Sequence, residues 1–211
     1  MILLPLVTAV LAIWGEYQPK RTLVYIFKPL TTLFIIWLAL IGPLDPIPDY
    51  NWTYKWLIVA GLILCLAGDI FLMLPPRYFL AGLGSFLAGH WFYIAAFTLD
   101  GISLTWWLLL PLLIYGGFVY TLLHPHLGKM RWPVIVYIIF ILLMAWAALG
   151  RWSTVGSYSA ALAVAGAILF VISDSVLALD RFRQKFPAAR LVVLSTYWAA
   201  QWLIAYSVLS P

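Results

Sequence analysis

The chain has 211 residues, 65% of them hydrophobic, with only twelve Lys/Arg and seven Asp/Glu. A soluble domain of this length carries roughly 50 charges, about a quarter of its residues, so a globule this poor in charge could not cover its own surface. That excludes a soluble globular enzyme, a disordered tail and a nucleic-acid binder, and points to an integral membrane protein whose net charge of +5 sits in short connections.

The predicted elements follow from long apolar runs, since a membrane-crossing helix needs about 20 apolar residues. Eight runs are read, at residues 2–14, 23–42, 56–74, 79–97, 104–123, 134–149, 158–179 and 191–209. The first is short for a full crossing. The breaks between runs carry residues that do not continue a helix, such as Pro43, Pro46 and Pro48, Pro75-Pro76, Pro125, Gly128 and Pro187. Trp and Tyr crowd the run ends (Trp52, Tyr54, Trp56, Trp106, Trp107, Trp132, Trp152), as interfacial anchors do. The single cysteine, Cys65, lies in an apolar run and excludes a disulfide framework.

Orientation follows from the cations. The connections after the first, third, fifth and seventh runs hold Lys20, Arg21, Arg77, Lys129, Arg131, Arg181, Arg183, Lys185 and Arg190. The opposite connections are read as holding Lys55 and Arg151, and Lys28 lies inside a run. This bias places the basic connections in the cytoplasm. The expected fold is all-α and integral to the membrane, with eight transmembrane helices in one domain and both termini on the non-cytoplasmic side. A weak repeat divides it: Asp69 before Leu72 and Leu74 is echoed 105 residues later by Asp174 before Leu177 and Leu179, and Lys28-Pro29 by Trp132-Pro133 at nearly the same offset. Two parallel four-helix halves, 1–103 and 104–211, are expected.

A charge at the bilayer centre costs about 3 kcal/mol on insertion scales, so the polar residues kept inside the runs are the candidates for function. Asp69 and Asp174 each lie about 7 Å below the cytoplasmic end of their run, and with one methylene each they cannot snorkel. Lys28, His90, Tyr93, Tyr197 and Gln201 lie on neighbouring runs, with His90 and Tyr93, and Tyr197 and Gln201, one turn apart. Lys28 is also read as snorkelling to the interface, His90 as a satisfied core histidine, and the tyrosines and Gln201 as interhelical hydrogen-bonding groups. His124 and His126 are read as loop residues; Glu16, Asp45, Asp49 and Asp100 as solvated. Two buried carboxylates can serve as an acid and a base in one site. One histidine within a run supplies too few ligands for zinc, so no metal is expected. Proton-coupled carriers use intramembrane carboxylates too, and a transporter is the rival reading.

Lys28-Pro29, Gly68-Asp69, Gly89-His90-x-x-Tyr93, Ser173-Asp174 and Tyr197-x-x-x-Gln201 together resemble the YhhN-like lysoplasmalogenases over about residues 20–207. The resemblance implies an eight-span enzyme, in a bacterial inner membrane, that hydrolyses the vinyl ether of a lysophospholipid (lysoplasmenylethanolamine or lysoplasmenylcholine) to a fatty aldehyde and a glycerophospho-alcohol. It implies no cofactor and, as partners, the substrate and membrane lipids. Asp69 and Asp174 would be the acid and base, without order. His90, Tyr93, Tyr197 and Gln201 would orient water and the ether oxygen. Lys28, with Arg77 at the rim, would set the electrostatics or meet the phosphate.

Overall fold

Runs of apolar residues without strand-like alternation form helices, because in hydrocarbon each backbone N–H and C=O must find its partner within the segment. The computed structural model describes residues 3–42, 51–101 and 106–209. These form eight α-helices: α1 (Leu3–Glu16), α2 (Thr22–Leu40), α3 (Trp52–Met73), α4 (Phe79–Phe97), α5 (Trp106–Leu123), α6 (Arg131–Val155), α7 (Tyr158–Ala178) and α8 (Ala189–Tyr206). Among the described residues there is no strand. Six helical stretches, from Thr22–Leu40 through Tyr158–Arg183, are long and apolar enough to cross a membrane. The 14-residue α1 is shorter, and α8, interrupted by Thr196 and Gln201, is not among the six. The chain is a multi-pass, all-helical membrane protein. The proline-rich connection with Asp45 and Asp49 lies outside the described residues.

Helix pairs pack most extensively as α3 on α4, α7 on α8 and α1 on α2, while α5 leans mainly on α6. Small residues permit the close approaches, as expected where helices associate by packing rather than by the hydrophobic effect. A Cβ at Gly61 of α3 would lie 2.4 Å from the Tyr93 ring of α4, and one at Gly166 of α7 would lie 2.9 Å from the Ala200 carbonyl oxygen of α8.

Alternate connections gather at opposite ends of the bundle. At one end Glu16, the last residue of α1, meets Arg21 and Arg190, and the Tyr17 hydroxyl donates to the Pro187 carbonyl at 3.0 Å. At the other end the Tyr54 hydroxyl bonds Ser207 at 2.6 Å, and the Arg151 guanidinium meets Asp100 at 2.8 Å. The first is the basic end, with the connections that carry nine cations.

Several sequence expectations change here. Lys55 and Arg151, read as loop cations, are both buried inside helices. The Lys55 ammonium donates to the Leu40 and Gly42 carbonyls at 3.0 and 3.4 Å, capping the C-terminus of α2, where a cation satisfies otherwise orphaned carbonyls. Arg151 donates to Tyr54 and Ser159 as well as pairing with Asp100. Its pairing is why α6 runs on past residue 149 to Val155, where Gly156 in the left-handed region (φ 63°) ends it. Asp100 and Glu16 are therefore not simply solvated: one neutralises Arg151, and the other is clasped by two arginines. Tyr54 is buried in that network rather than anchored at an interface.

Candidate functional site

Asp69 faces inward from α3, 1% exposed. Its Oδ1 lies 3.3 Å from the Lys28 ammonium of α2. Its Oδ2 accepts from the Thr32 hydroxyl of α2 and the Tyr197 hydroxyl of α8, both at 2.8 Å. The indole N–H of Trp198 donates onward to Thr32 at 3.4 Å. Both carboxylate oxygens are thus engaged, one by a cation and the other by two hydroxyl donors.

From Tyr197 the network continues across the bundle. The Gln201 amide N–H donates to the Tyr197 oxygen at 3.2 Å, and the Gln201 carbonyl accepts from the Tyr93 hydroxyl of α4 at 2.7 Å. Tyr197 and Gln201 share a face of α8, one turn apart, as their spacing predicts. Tyr93, Tyr197, Gln201, Lys28 and Asp69 thus form one chain of contacts through α2, α3, α4 and α8.

Asp174 is held differently. It is half-buried on α7 and accepts a hydrogen bond from the Tyr137 hydroxyl of α6. Its neighbour Ser173 is tied to the Val193 carbonyl of α8 at 3.0 Å, which seats α7 against α8 and turns Asp174 toward the space between the helices. His90, fully buried, packs edge-on against Phe170 (ring centroids 4.8 Å apart) and lies 5.3 Å from the Tyr137 ring. Among the described residues neither of its ring nitrogens has a hydrogen-bond partner. It backs the tyrosine that holds Asp174 instead of joining the Tyr93 network. Among the described residues no three His, Cys, Asp or Glu side chains converge as a metal-binding group.

Two spaces meet at these residues. A polar cavity of about 450 Å³ lies among α2, α3, α7 and α8, with Lys28, Asp69, Asp174 and Tyr197 in its wall and Glu16, Arg21, Arg181, Lys185 and Arg190 toward the basic end. A narrower apolar groove of about 60 Å³ runs between α4, α5, α6 and α7, walled by residues such as Leu83, Phe86, Val119, Ile141 and Val171. Asp174 lines both spaces; Asp69 lines only the polar one.

The structure therefore brings together Lys28, Asp69, Asp174 and Tyr197 around one cavity, with Tyr93 and Gln201 bonded behind it. Arg77 lies elsewhere: its guanidinium stacks over the Tyr78 ring at 4.9 Å, bonds the Tyr78 hydroxyl at 3.2 Å, and is not in the cavity wall. The mouth is furnished instead by arginines from the connections after α1 and α7 and the first turn of α8. Sequence reasoning missed Thr32 and Tyr137, the donors to the two aspartates. A signal was present: Thr32 and Tyr137 stand 105 residues apart, as Asp69 and Asp174 do, so each donor precedes its acceptor by 37 residues.

The profile of the YhhN family matches residues 23–208. A membrane protein YhhN of Escherichia coli O6:H1 is 30% identical over 202 residues, covering 95% of this chain and 94% of the relative. Lysoplasmalogenase TMEM86A of Homo sapiens is 36% identical over 155 residues, covering 71% of this chain and 64% of that protein. Lysoplasmalogenase TMEM86B of Homo sapiens is 36% identical over 157 residues, covering 74% and 65%. No solved structure matches. With the profile covering most of its length and a full-length relative alongside, the chain belongs to the YhhN family.

Proposed function

We propose that this chain is a membrane hydrolase that cleaves the vinyl ether bond of lysoplasmalogens, with Asp174 as the acid and Asp69 as the carboxylate that receives a proton from water. Relatives named lysoplasmalogenase match over about 70% of the chain and support the reaction class. The observation that carries the assignment of roles is that Asp174 faces both the apolar groove and the polar cavity, while Asp69 faces only the polar one.

A vinyl ether is cleaved by protonating its β-carbon, the carbon on the chain side of the double bond. With the alkenyl chain in the groove, that carbon lies beside Asp174. The resulting oxocarbenium ion is stabilised by negative charge, which the Asp69 carboxylate supplies across the cavity. Water adds to the cationic carbon and gives its proton to Asp69. The hemiacetal then returns its hydroxyl proton to Asp174 while Asp69 protonates the departing glyceryl oxygen. The products are a fatty aldehyde and a glycerophospho-alcohol, and both carboxyl groups are reset. Lys28, Thr32 and Tyr197 keep Asp69 oriented; Tyr137 does so for Asp174. The rival reading as a carrier draws on no comparable observation.

The finer architecture belongs to the same proposal. All eight helices cross, both termini lie outside, and the basic end faces the cytoplasm of a bacterial inner membrane. The single domain is two parallel halves, 1–103 and 104–211. The recurrence of a helix-borne hydroxyl bonded to an aspartate at an offset of 105 residues supports them.

The test is aldehyde release from a lysoplasmalogen by the purified protein in detergent. In heavy water, the aldehyde trapped by reduction is expected to carry one deuterium at its second carbon. Absence of release overturns the activity; release without that deuterium overturns protonation at the β-carbon.

A further inference from the structure

The mouth of the polar cavity carries four cations, Arg21, Arg181, Lys185 and Arg190, against two carboxylates, Glu16 and Asp180. Arg21 and Arg190 are committed to Glu16. Arg181 and Lys185 have no ion-pair partner among the described residues. A cytoplasmic excess of cations would by itself explain basic residues in a connection. It does not explain why these two line a cavity while Arg183, between them, does not.

The helix geometry accounts for the selection. After Ala178 the α7 helix widens into a π-helical turn over Leu179–Arg183, a distortion often found at functional sites. Arg181 follows Asp174 by seven residues, so the two share a face about 10 Å apart along the axis. The Arg181 guanidinium is laid over the Phe79 ring at 4.6 Å, and Arg181, like Asp174, borders both the cavity and the groove. A ligand bridging the two is separated from the guanidinium by a further contact distance of about 3 Å. In a glycerophospholipid with a single 1-alkenyl chain, six bonds separate the enol-ether carbon from phosphorus, about 7 Å when extended. A phosphodiester held at Arg181 would therefore set the enol ether beside Asp174.

We propose that Arg181, assisted by Lys185, is the subsite for the phosphodiester of the substrate, and that it fixes the register in which the double bond meets Asp174. A guanidinium is suited to a phosphate because its planar fork can donate two parallel hydrogen bonds to two oxygens. The inference rests on the hydrolase reading above and names the part of the substrate that this reading leaves unassigned.

The experiment compares lysoplasmenylcholine with an uncharged 1-alkenylglycerol, in the same detergent, on the wild-type chain and on Arg181→Ala, Arg181→Lys, Lys185→Ala and Arg183→Ala. Arg181→Ala is expected to raise KM for the phospholipid by about tenfold or more, the equivalent of one lost charge-assisted contact. Cleavage of the alkenylglycerol should be unchanged, which also shows that the variant is folded. Arg181→Lys should recover part of the loss, Lys185→Ala should show a smaller one, and Arg183→Ala none. Equal losses on both substrates, or no loss on the phospholipid, overturn the subsite. A wild-type chain that cleaves both substrates with equal kcat/KM also overturns it while leaving the hydrolase reading intact; cleavage of neither overturns that reading instead. Inorganic phosphate is the last probe: weak competition against lysoplasmenylcholine, lost in Arg181→Ala, is expected, whereas an inhibition constant for phosphate well below the KM of the phospholipid makes free phosphate the ligand and overturns the assignment.

Discussion

Lys28 and Asp69 form an ion pair inside a helix bundle, and each is less exposed than most leucines of the outer surface. Removing one member of such a pair leaves the other charge buried without compensation, at a cost of about 3–5 kcal/mol. Lys28→Met alone is therefore expected to destabilise the protein more than Lys28→Met with Asp69→Leu. Thermal unfolding in detergent measures the order, and a double variant no more stable than the single one would remove the pair as a stability element. Catalysis gives a different pattern. Asp69→Asn and Asp174→Asn keep size and polarity but cannot cycle a proton, and each is expected to lower kcat by about 10²–10⁴-fold. Asp174→Asn, which breaks no ion pair among the described residues, should do so with little change in unfolding temperature, whereas Asp69→Asn leaves Lys28 unpaired and should also melt earlier. Tyr137→Phe removes only the hydroxyl that orients Asp174, so a loss of about tenfold is expected, the scale of one hydrogen bond. Full turnover in either Asn variant would end the two-carboxylate mechanism. The aspartates were legible in the sequence because a short acidic side chain within an apolar run has no route to water. Thr32 and Tyr137 were not, because hydroxyls are common in membrane helices and are often satisfied by their own backbone, as Thr31 is by the Phe27 carbonyl at 2.7 Å.

Helices carry these residues to one another only because the close pairs are close. Gly61 admits the Tyr93 ring, and Tyr93 in turn reaches Gln201 and, through Tyr197, Asp69. Gly61→Ala would push a methyl into that ring, with a penalty of about 1–3 kcal/mol for overpacking. It should lower both the unfolding temperature and turnover. Gly84, on the open side of α4, has nothing within 4 Å of an added Cβ. Gly84→Ala therefore gains helix propensity without a clash and should raise stability by about 0.5–1 kcal/mol. Opposite signs for two glycines in adjacent helices, read from paired melting curves, are the expected result; the same sign at both would contradict the packing. The helices themselves follow the apolar runs, and α4 has the same bounds as its run. The end of α6 was not legible, because Arg151 looks like a loop residue until Asp100, Ser159 and the Tyr54 hydroxyl are brought around it. Sequence reveals a charge in an apolar segment but not the partner that lets it stay.

At the scale of the whole molecule, moving Lys55 and Arg151 from loops into the interior sharpens the charge argument. The nine cations of the basic connections now stand against no unburied cation in the described parts of the opposite ones, and Lys55 and Arg151 serve instead to cap α2 and to tie α3, α6 and α7 together. Insertion sorts exposed positive charge, so the basic end is expected in the cytoplasm. The proposed count of eight crossings turns on α1 and α8, the two helices outside the six, and α1 is the shorter. Fourteen residues make a helix of about 21 Å, against about 30 Å of hydrocarbon, yet α1 packs along α2 and meets α8. On the proposed eight-span architecture, α1 would cross alongside α2 in spite of its length. Single cysteines decide both points, because Cys65 is buried and can be replaced by alanine to clear the background. In intact spheroplasts an impermeant maleimide is expected to label Ser157→Cys and Leu3→Cys, and to reach Gln184→Cys and Lys129→Cys only after lysis. Labelling of the last two from outside would reverse the orientation and put the cavity mouth, with its arginines, on the wrong leaflet for a cytoplasmic substrate. Labelling of Ser157→Cys without Leu3→Cys would keep the orientation and reduce the crossings to seven, with α1 lying at the inner surface beside the cavity that Glu16 lines.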